Sequence, residues 1–581
     1  MKELKRSCMM GRLRALPRAV LSAFVCCFLA GYLVHLFAFT NILPNADGIS
    51  RISDPQQMTI SGRWFLHYAT AWNGFLQAPA LIGFLSVLFL ALASAFTVSL
   101  IRVRSAWIGG LIGVLMIVFP SVAFTYLYLF TASAYCFGIL LAVLAVWLTV
   151  RYRFGFLPGI LLLACSVGTY QAYLAVAASL ALLSLILSAL DDKKKGIRIL
   201  LSALKMLLFL VLGLVVYYLV LRLFLRVKDL TLLSYKGIGV FGKDLTVRGV
   251  LEQIRAAYGK FVQYFFVPRS FALYTTPVTV VGNALLALAG ILAFVLLVIR
   301  NRLWKRPFAF ACVIVLCAIL PLGLNLTVLM DEAMPIMRYA LVFCYVFALA
   351  LVDRTAESRA RNKDNGPHAA DDGLRQTAPP AERGPEQEGE TPSSEGDLQT
   401  SPAGGKSPAS SGRSFLLRPL ALCAGLLLFL VSFQTDNLVY TMSATAHRAT
   451  ESFATRLVER VESTPGYEDG MEVVIIGGFP RSSYYSQIEA FKEIEDYSNL
   501  SSTVTPLTKQ VYYYLNDWLN VPWPEPSEET LIAVSDSAAF REMPLYPSDG
   551  GIVISDGRVI VKLAKRYTPK KDYEIAYENR R

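Results

Sequence analysis

The chain has 581 residues, of which 55% are hydrophobic and only 17% charged, and its formal net charge is +12. Soluble domains average roughly 25% charged residues, so an ordinary water-soluble protein is excluded. The excess positive charge does not point to nucleic acid either, because the Lys and Arg residues cluster in short loops between apolar runs, which is a membrane-topology signal.

The N-terminus starts with Lys2, Lys5, Arg6, Arg12, Arg14 and Arg18, followed by an apolar run over residues 20–39. That run is too long for the core of a secretion signal and has no clear cleavage site, so it predicts a retained first helix. Further apolar segments fall at 78–101, 106–126, 131–150, 155–169, 171–190, 199–222, 278–299, 307–329, 336–352 and 415–434. Hydrocarbon offers no partners for backbone N–H and C=O groups, so each segment is predicted to be a helix. The prediction is a polytopic α-helical membrane protein with about eleven transmembrane helices and a small C-terminal α/β domain.

Charge sets the orientation. Arg102 and Arg104, Arg151 and Arg153, Lys193 to Lys195 with Arg198, and Arg300, Arg302, Lys305 and Arg306 occupy alternate loops. Placing these inside puts the N-terminus in the cytoplasm and the C-terminus outside the cell membrane. The organisation expected is a transmembrane core over 1–353 with outer loops 41–77 and 223–277, then a cytoplasmic loop over 354–414. A last helix over 415–434 and an extracytoplasmic domain over 435–581 complete it. The 354–414 loop is rich in Pro, Gly, Ser, Glu and Asp, which cannot bury enough apolar surface to fold. The tail reads as a helix near 443–461, a strand in "MEVVIIGGF", a helix in "LTKQVYYYLNDWL" and two strands near 551–555 and 558–563. "IIGG" lacks the rest of a dinucleotide fingerprint. The nine cysteines lie mostly in apolar runs, with no CxxC pair, and read as packing residues, not a metal or disulfide framework.

None of the apolar segments as delimited contains Asp or Glu, which weakens an ion-coupled transporter. The polar residues of interest lie in the outer loops. If loop one is partly helical, Asp47, Arg51 and Asp54 share one face at i, i+4 and i+7. Asp47 then sits near the membrane interface, at the height of a lipid headgroup. The alternative is a turn at Asp47 and Gly48 with Arg51 as an ion-pair partner. Arg63 and Trp64 follow, before an aromatic approach to the second helix; Trp64 and Trp72 are also candidates for interfacial anchors, and His67 for a structural residue. Gly168, Thr169, Tyr170 and Gln171 form a polar break between helices five and six that either lines a cavity or makes a tight turn. Asp331, Glu332, Arg338 and Tyr339 precede the tenth helix. Arg338 suits phosphate, whether of a substrate or of lipid headgroups.

The loop-one Asp, "SGRW" before the second helix, "GTYQAYL" and "TDNLVY" together resemble the membrane glucosyl transferase II family, phage-type O-antigen-modifying enzymes of the GT-C superfamily. The resemblance covers roughly residues 20–480. It implies a polyprenyl-phosphate-linked sugar, glucose, as donor and a surface glycan as acceptor, with transfer on the outer side of the lipid bilayer. It also implies that Asp47 is the catalytic base; the residues themselves mark Arg51, Asp54, Arg63, Trp64, Tyr170, Gln171 and Arg338 as the expected substrate-binding set. The family's paired acidic motif is absent, since Asp47 has no adjacent acid. No metal ligand is assigned, and a divalent ion is left open, with Asp54 as the second carboxylate. A transporter or flippase of a lipid-linked sugar, and a non-catalytic envelope scaffold, are the competing readings.

Overall fold

A computed structural model describes residues 17–43, 52–191, 196–232, 246–268, 276–325, 334–364, 413–479 and 508–567. The expected disordered stretch falls largely outside them, as do Asp47, Arg51, Asp331 and Glu332.

Helix α1 spans Arg18–Thr40 and is followed by a loop holding the short helix α2, Leu66–Thr70. Then come α3 (Pro79–Ile101), α4 (Ala106–Ile117), α5 (Pro120–Leu127), α6 (Leu129–Arg151) and α7 (Phe156–Thr169). They are followed by α8 (Tyr173–Asp191), α9 (Gly196–Val227), α10 (Val247–Phe266), α11 (Pro277–Arg300) and α12 (Pro307–Leu324). A 3₁₀ turn, Pro335–Leu341, leads into α13, Val342–Asp364. Among the described residues ten stretches are long and apolar enough to cross a membrane, and the shorter apolar α7 is a further apolar segment. Every apolar segment expected from the sequence is therefore helical, and the chain is a multi-pass membrane protein. Many large apolar side chains on the outward faces of α1, α9 and α11 are exposed, among them Leu29, Leu33, Leu204 and Ile291. In a bilayer these face acyl chains, so no aqueous penalty attaches to them.

The third apolar run is not one helix. It is interrupted at Val118 and Phe119 because Pro120 has no N–H and its ring forces Phe119 into an extended conformation (φ −63°, ψ 135°). The first half, α4, packs tightly on α1. A Cβ on Gly109 or Gly113 would lie 2.3 Å from the Ala19 carbonyl or 2.2 Å from that of Ala23. Glycine at this four-residue spacing lets the two backbones touch.

The basic loops meet at one end of the bundle. There the Asp353 carboxylate accepts from the N–H groups of Arg104 (3.0 Å) and Ser105 (3.1 Å) at the start of α4, where helical N–H groups lack internal partners. Arg354 donates to the Ile101 carbonyl (2.8 Å), and Arg300 donates to those of Thr355 and Arg354 (3.2 Å each).

Helices expected at 415–434 and 443–461 are one continuous helix, α14, Arg413–Glu462. Its 50 residues measure about 75 Å, so it runs on from the bundle into the C-terminal domain. There β1 (Glu472–Ile476) is followed by α15 (Thr508–Tyr513) with a π turn, α16 (Glu528–Asp536) and α17 (Ala538–Glu542). Strands β2 (Ile552–Ser555) and β3 (Arg558–Lys562) end the described chain, giving a sheet of order β1-β3-β2, with β1 parallel and β2 antiparallel to β3. Val473 and Ile475 pack with Leu457 and Val461 of α14, while Val474 and Ile476 pack with Leu531 and Phe540 on the other face. Covering on both faces explains why β1 is apolar without alternation.

Candidate active site

The site is built at the end of the bundle opposite the basic loops. Residues 52–77 form a loop closed on itself. Ser53 bridges to Leu76, the Asp54 N–H donates to the Phe75 carbonyl (2.9 Å) and the Gln77 N–H to that of Ile52 (2.9 Å). His67 donates through Nδ1 to the Pro55 carbonyl (2.6 Å) and stacks on Phe75, with centroids 5.0 Å apart. It is a structural residue of the loop.

Asp54 departs from the expected helical face. It lies outside any helix, as suits a residue followed by Pro55, and its Oδ1 accepts from the Gln56 N–H (2.8 Å). Its carboxylate thus closes a turn. The expected partners on that face, Asp47 and Arg51, lie outside the described residues.

From this loop a turn at Thr59–Ser61 delivers Arg63 and Trp64 to the blunt end of α7. With 14 residues α7 is about 21 Å long, short of the roughly 30 Å hydrocarbon layer. Tyr170 ends it in extended conformation (φ −156°, ψ 121°). The loop fills the missing depth: the Phe65 N–H donates to the Gly168 carbonyl (2.9 Å), and the Trp64 indole lies flat against Gly168, where a Cβ would come within 2.6 Å of the ring. Trp64 is 7% exposed and stacks on Phe224 of α9 at 5.9 Å, so it is a packing residue of the site and not an anchor facing lipid. Trp72, 57% exposed, keeps the anchor geometry.

Arg63 is held among phenols. Its guanidinium lies 4.9 Å from the Tyr170 ring centroid and donates to the Tyr135 hydroxyl at 3.1 Å. Tyr135 and Tyr170 stack at 4.7 Å, and Tyr173 meets both rings edge-on. Gln171 donates to the Ser61 carbonyl (2.9 Å), and Tyr217 of α9 donates to that of Gly62 (3.1 Å), pinning the two carbonyls just before Arg63. Sequence-distant elements singled out by their polarity, Arg63–Trp64 and Tyr170–Gln171, are therefore one constellation.

Arg338 belongs to the neighbouring wall. It sits half-buried in the 3₁₀ turn, near the Tyr264 phenol of α10. The turn packs against α8, whose first residue is Tyr173. Trp64 Nε1 and the Tyr173 hydroxyl are buried donors with no hydrogen-bond partner among the described residues. Aromatic faces, two arginines and spare donors suit a sugar ring carrying a phosphate. Among the described residues no three His, Cys, Asp or Glu side chains converge on a metal position.

Sequence reasoning missed Tyr135, Tyr173 and Tyr217; the available signal was a hydroxyl-bearing ring near the end of an otherwise apolar run. It also missed Asp436, two residues past the last apolar segment as delimited. That carboxylate is fully buried inside α14, 3.9 Å from His35 of α1.

The family model described as Glucosyl transferase GtrII matches residues 36–351, more than half of the chain, and takes in loop one, the α7–α8 break and Arg338. No curated protein and no solved structure matches. With a bundle of membrane helices and that match in hand, the chain belongs to the glucosyl transferase GtrII family and is a membrane glucosyltransferase.

Proposed function

We propose that this protein moves glucose from a polyprenyl phosphate to a cell-surface glycan, on the face of the membrane opposite the basic loops. The observation that carries the reading is the convergence of Arg63 with Tyr135, Tyr170 and Tyr173 where the short α7 ends. A lipid-linked donor presents its phosphate and sugar at that depth. The gathering of Arg104, Arg300 and Arg354 at the other end supports a cytoplasmic N-terminus and an extracytoplasmic C-terminus.

In this mechanism an acceptor hydroxyl oxygen attacks the anomeric carbon and the bond from that carbon to the phosphate oxygen breaks. The electron pair leaves with polyprenyl phosphate. Asp47 takes the hydroxyl proton as general base. Arg63, with Arg51 and Arg338, stabilises the charge growing on the departing phosphate. Tyr170 and Trp64 frame the site, and Gln171 holds the turn that aims Arg63.

The donor distinguishes this reading from its rivals. Purified protein in detergent, given glucosyl polyprenyl phosphate and extracted surface glycan, should form glycosidic product without any membrane gradient. UDP-glucose in its place should give none. Transfer from the nucleotide sugar, or movement of the lipid across vesicles with no transfer, would refute the proposal.

A further inference from the structure

The interruption between α4 and α5 leaves carbonyls that a continuous helix would satisfy internally. Pro120 cannot donate to Met116, and the extended Phe119 carries the chain away from Ile117. Two side chains from distant elements take these oxygens. The Tyr339 hydroxyl donates to the Met116 carbonyl (3.1 Å), and His35 of α1 meets the Ile117 carbonyl through Nε2 (3.0 Å). A carbonyl only accepts, so Nε2 carries a proton, and in the neutral imidazole Nδ1 is then the acceptor. Nδ1 therefore receives the Tyr440 hydroxyl of α14, 2.8 Å away. Beside it, Asn437 donates to the Val34 carbonyl of α1 (3.2 Å).

The same break grips the turn that carries Arg338. Ser121, in the first turn of α5, donates to the Pro335 carbonyl (2.8 Å). Tyr339, the residue after Arg338, is tied to Met116, and its ring meets Phe119 edge-on at 6.2 Å. Arg338 thus sits between two fixed points, in a non-helical conformation (φ −98°, ψ 16°). His35, Tyr440, Ser121 and Tyr339 are buried in the bundle, where a hydrogen bond is strong and an unmet carbonyl is costly.

We propose that the break at Val118 to Pro120 is a positioning hub for Arg338, with Tyr339 as the residue that sets the guanidinium and His35 as the one that locks the hub to α1 and α14. The proposal rests on reading Arg338 as a phosphate partner. Tyr339 and His35 do not touch substrate; they act through the backbone of the break. His35 and Tyr440 lie outside the stretch matched by the family model.

The test is a kinetic double-mutant cycle on full-length protein in detergent. Tyr339→Phe removes one hydroxyl and should lower kcat roughly 10-fold, because a small displacement of a group aimed at the reacting centre is expensive, while the donor KM changes little. In an Arg338→Ala background the same substitution should cost nothing further. His35→Gln can still give an N–H to Ile117 and accept from Tyr440, so it should keep kcat within about three-fold of wild type, whereas His35→Ala should not. A wild-type rate for Arg338→Ala would refute the phosphate role on which the proposal stands. A slow Arg338→Ala whose rate Tyr339→Phe lowers again by the same factor would overturn the hub itself. So would His35→Gln behaving like His35→Ala with both proteins folded.

Discussion

The two ends of the bundle use charge differently. At the basic end, Asp353 accepts two backbone N–H groups, and Arg354 and Arg300 donate to backbone carbonyls. There the charges complete the helices. At the other end Arg63 lies over a tyrosine ring and bonds a phenol, beside the buried donors Trp64 Nε1 and Tyr173. Backbone-directed charge holds a fold together, whereas a guanidinium framed by aromatic rings presents a face to a ligand. Substitutions at the first end should move stability, and at the second, turnover.

The sharpest contrast is Arg63→Ala. It should reduce kcat/KM by roughly 10²-fold or more, the scale expected on losing a preorganised charge partner of the transition state. Arg63→Lys should recover only part, since an ammonium cannot reproduce the planar guanidinium's stacking and forked donation. Wild-type turnover in Arg63→Ala would dissolve the contrast. Gly168→Val comes next. Its side chain must displace the Trp64 ring, and a roughly 10-fold loss of turnover is expected from the shifted loop; unchanged kinetics with an intact fold would show that Trp64 does not position Arg63.

Asp353→Ala should do the opposite. It strands the N–H groups of Arg104 and Ser105, so stability should fall by about 1–3 kcal/mol, while turnover per folded molecule stays the same. Thermal unfolding in detergent, run beside the transfer assay, separates the two effects, and a slower but equally stable enzyme would contradict the assignment. The smallest effect is expected for Trp72→Ala, less than about two-fold in rate, because an exposed interfacial ring anchors depth and not chemistry.

Much of this architecture is legible in the residues alone. The apolar runs give the membrane helices because a bilayer permits little else. The polarity of "SGRW" and "GTYQ" between such runs marks two segments that do meet. What the residues hide is long-range register. Nothing local says that Arg63 faces Tyr135, or that Gln171 reaches the Ser61 carbonyl. Pro120 was visible within its run, but the consequence, two carbonyls handed to Tyr339 and His35, depends on which helices lie alongside. Asp436 was hidden for a related reason: the last apolar run stops before it, yet the helix continues and carries the carboxylate into the bundle beside His35. Asp54 falls out of its helical spacing to Asp47 because the proline that follows it disfavours a helical backbone.

In the proposed reaction a carboxylate of the first outer loop takes the acceptor proton while Arg63 and its neighbours receive the lipid phosphate. The direct measurement is the rate of glucose transfer from glucosyl polyprenyl phosphate by wild type and by Asp47→Asn, purified alike and matched for folded protein. Loss of a general base predicts a drop of ~10²–10⁴-fold with near-normal donor binding. An Asp47→Asn protein that transfers glucose at the wild-type rate would contradict the account.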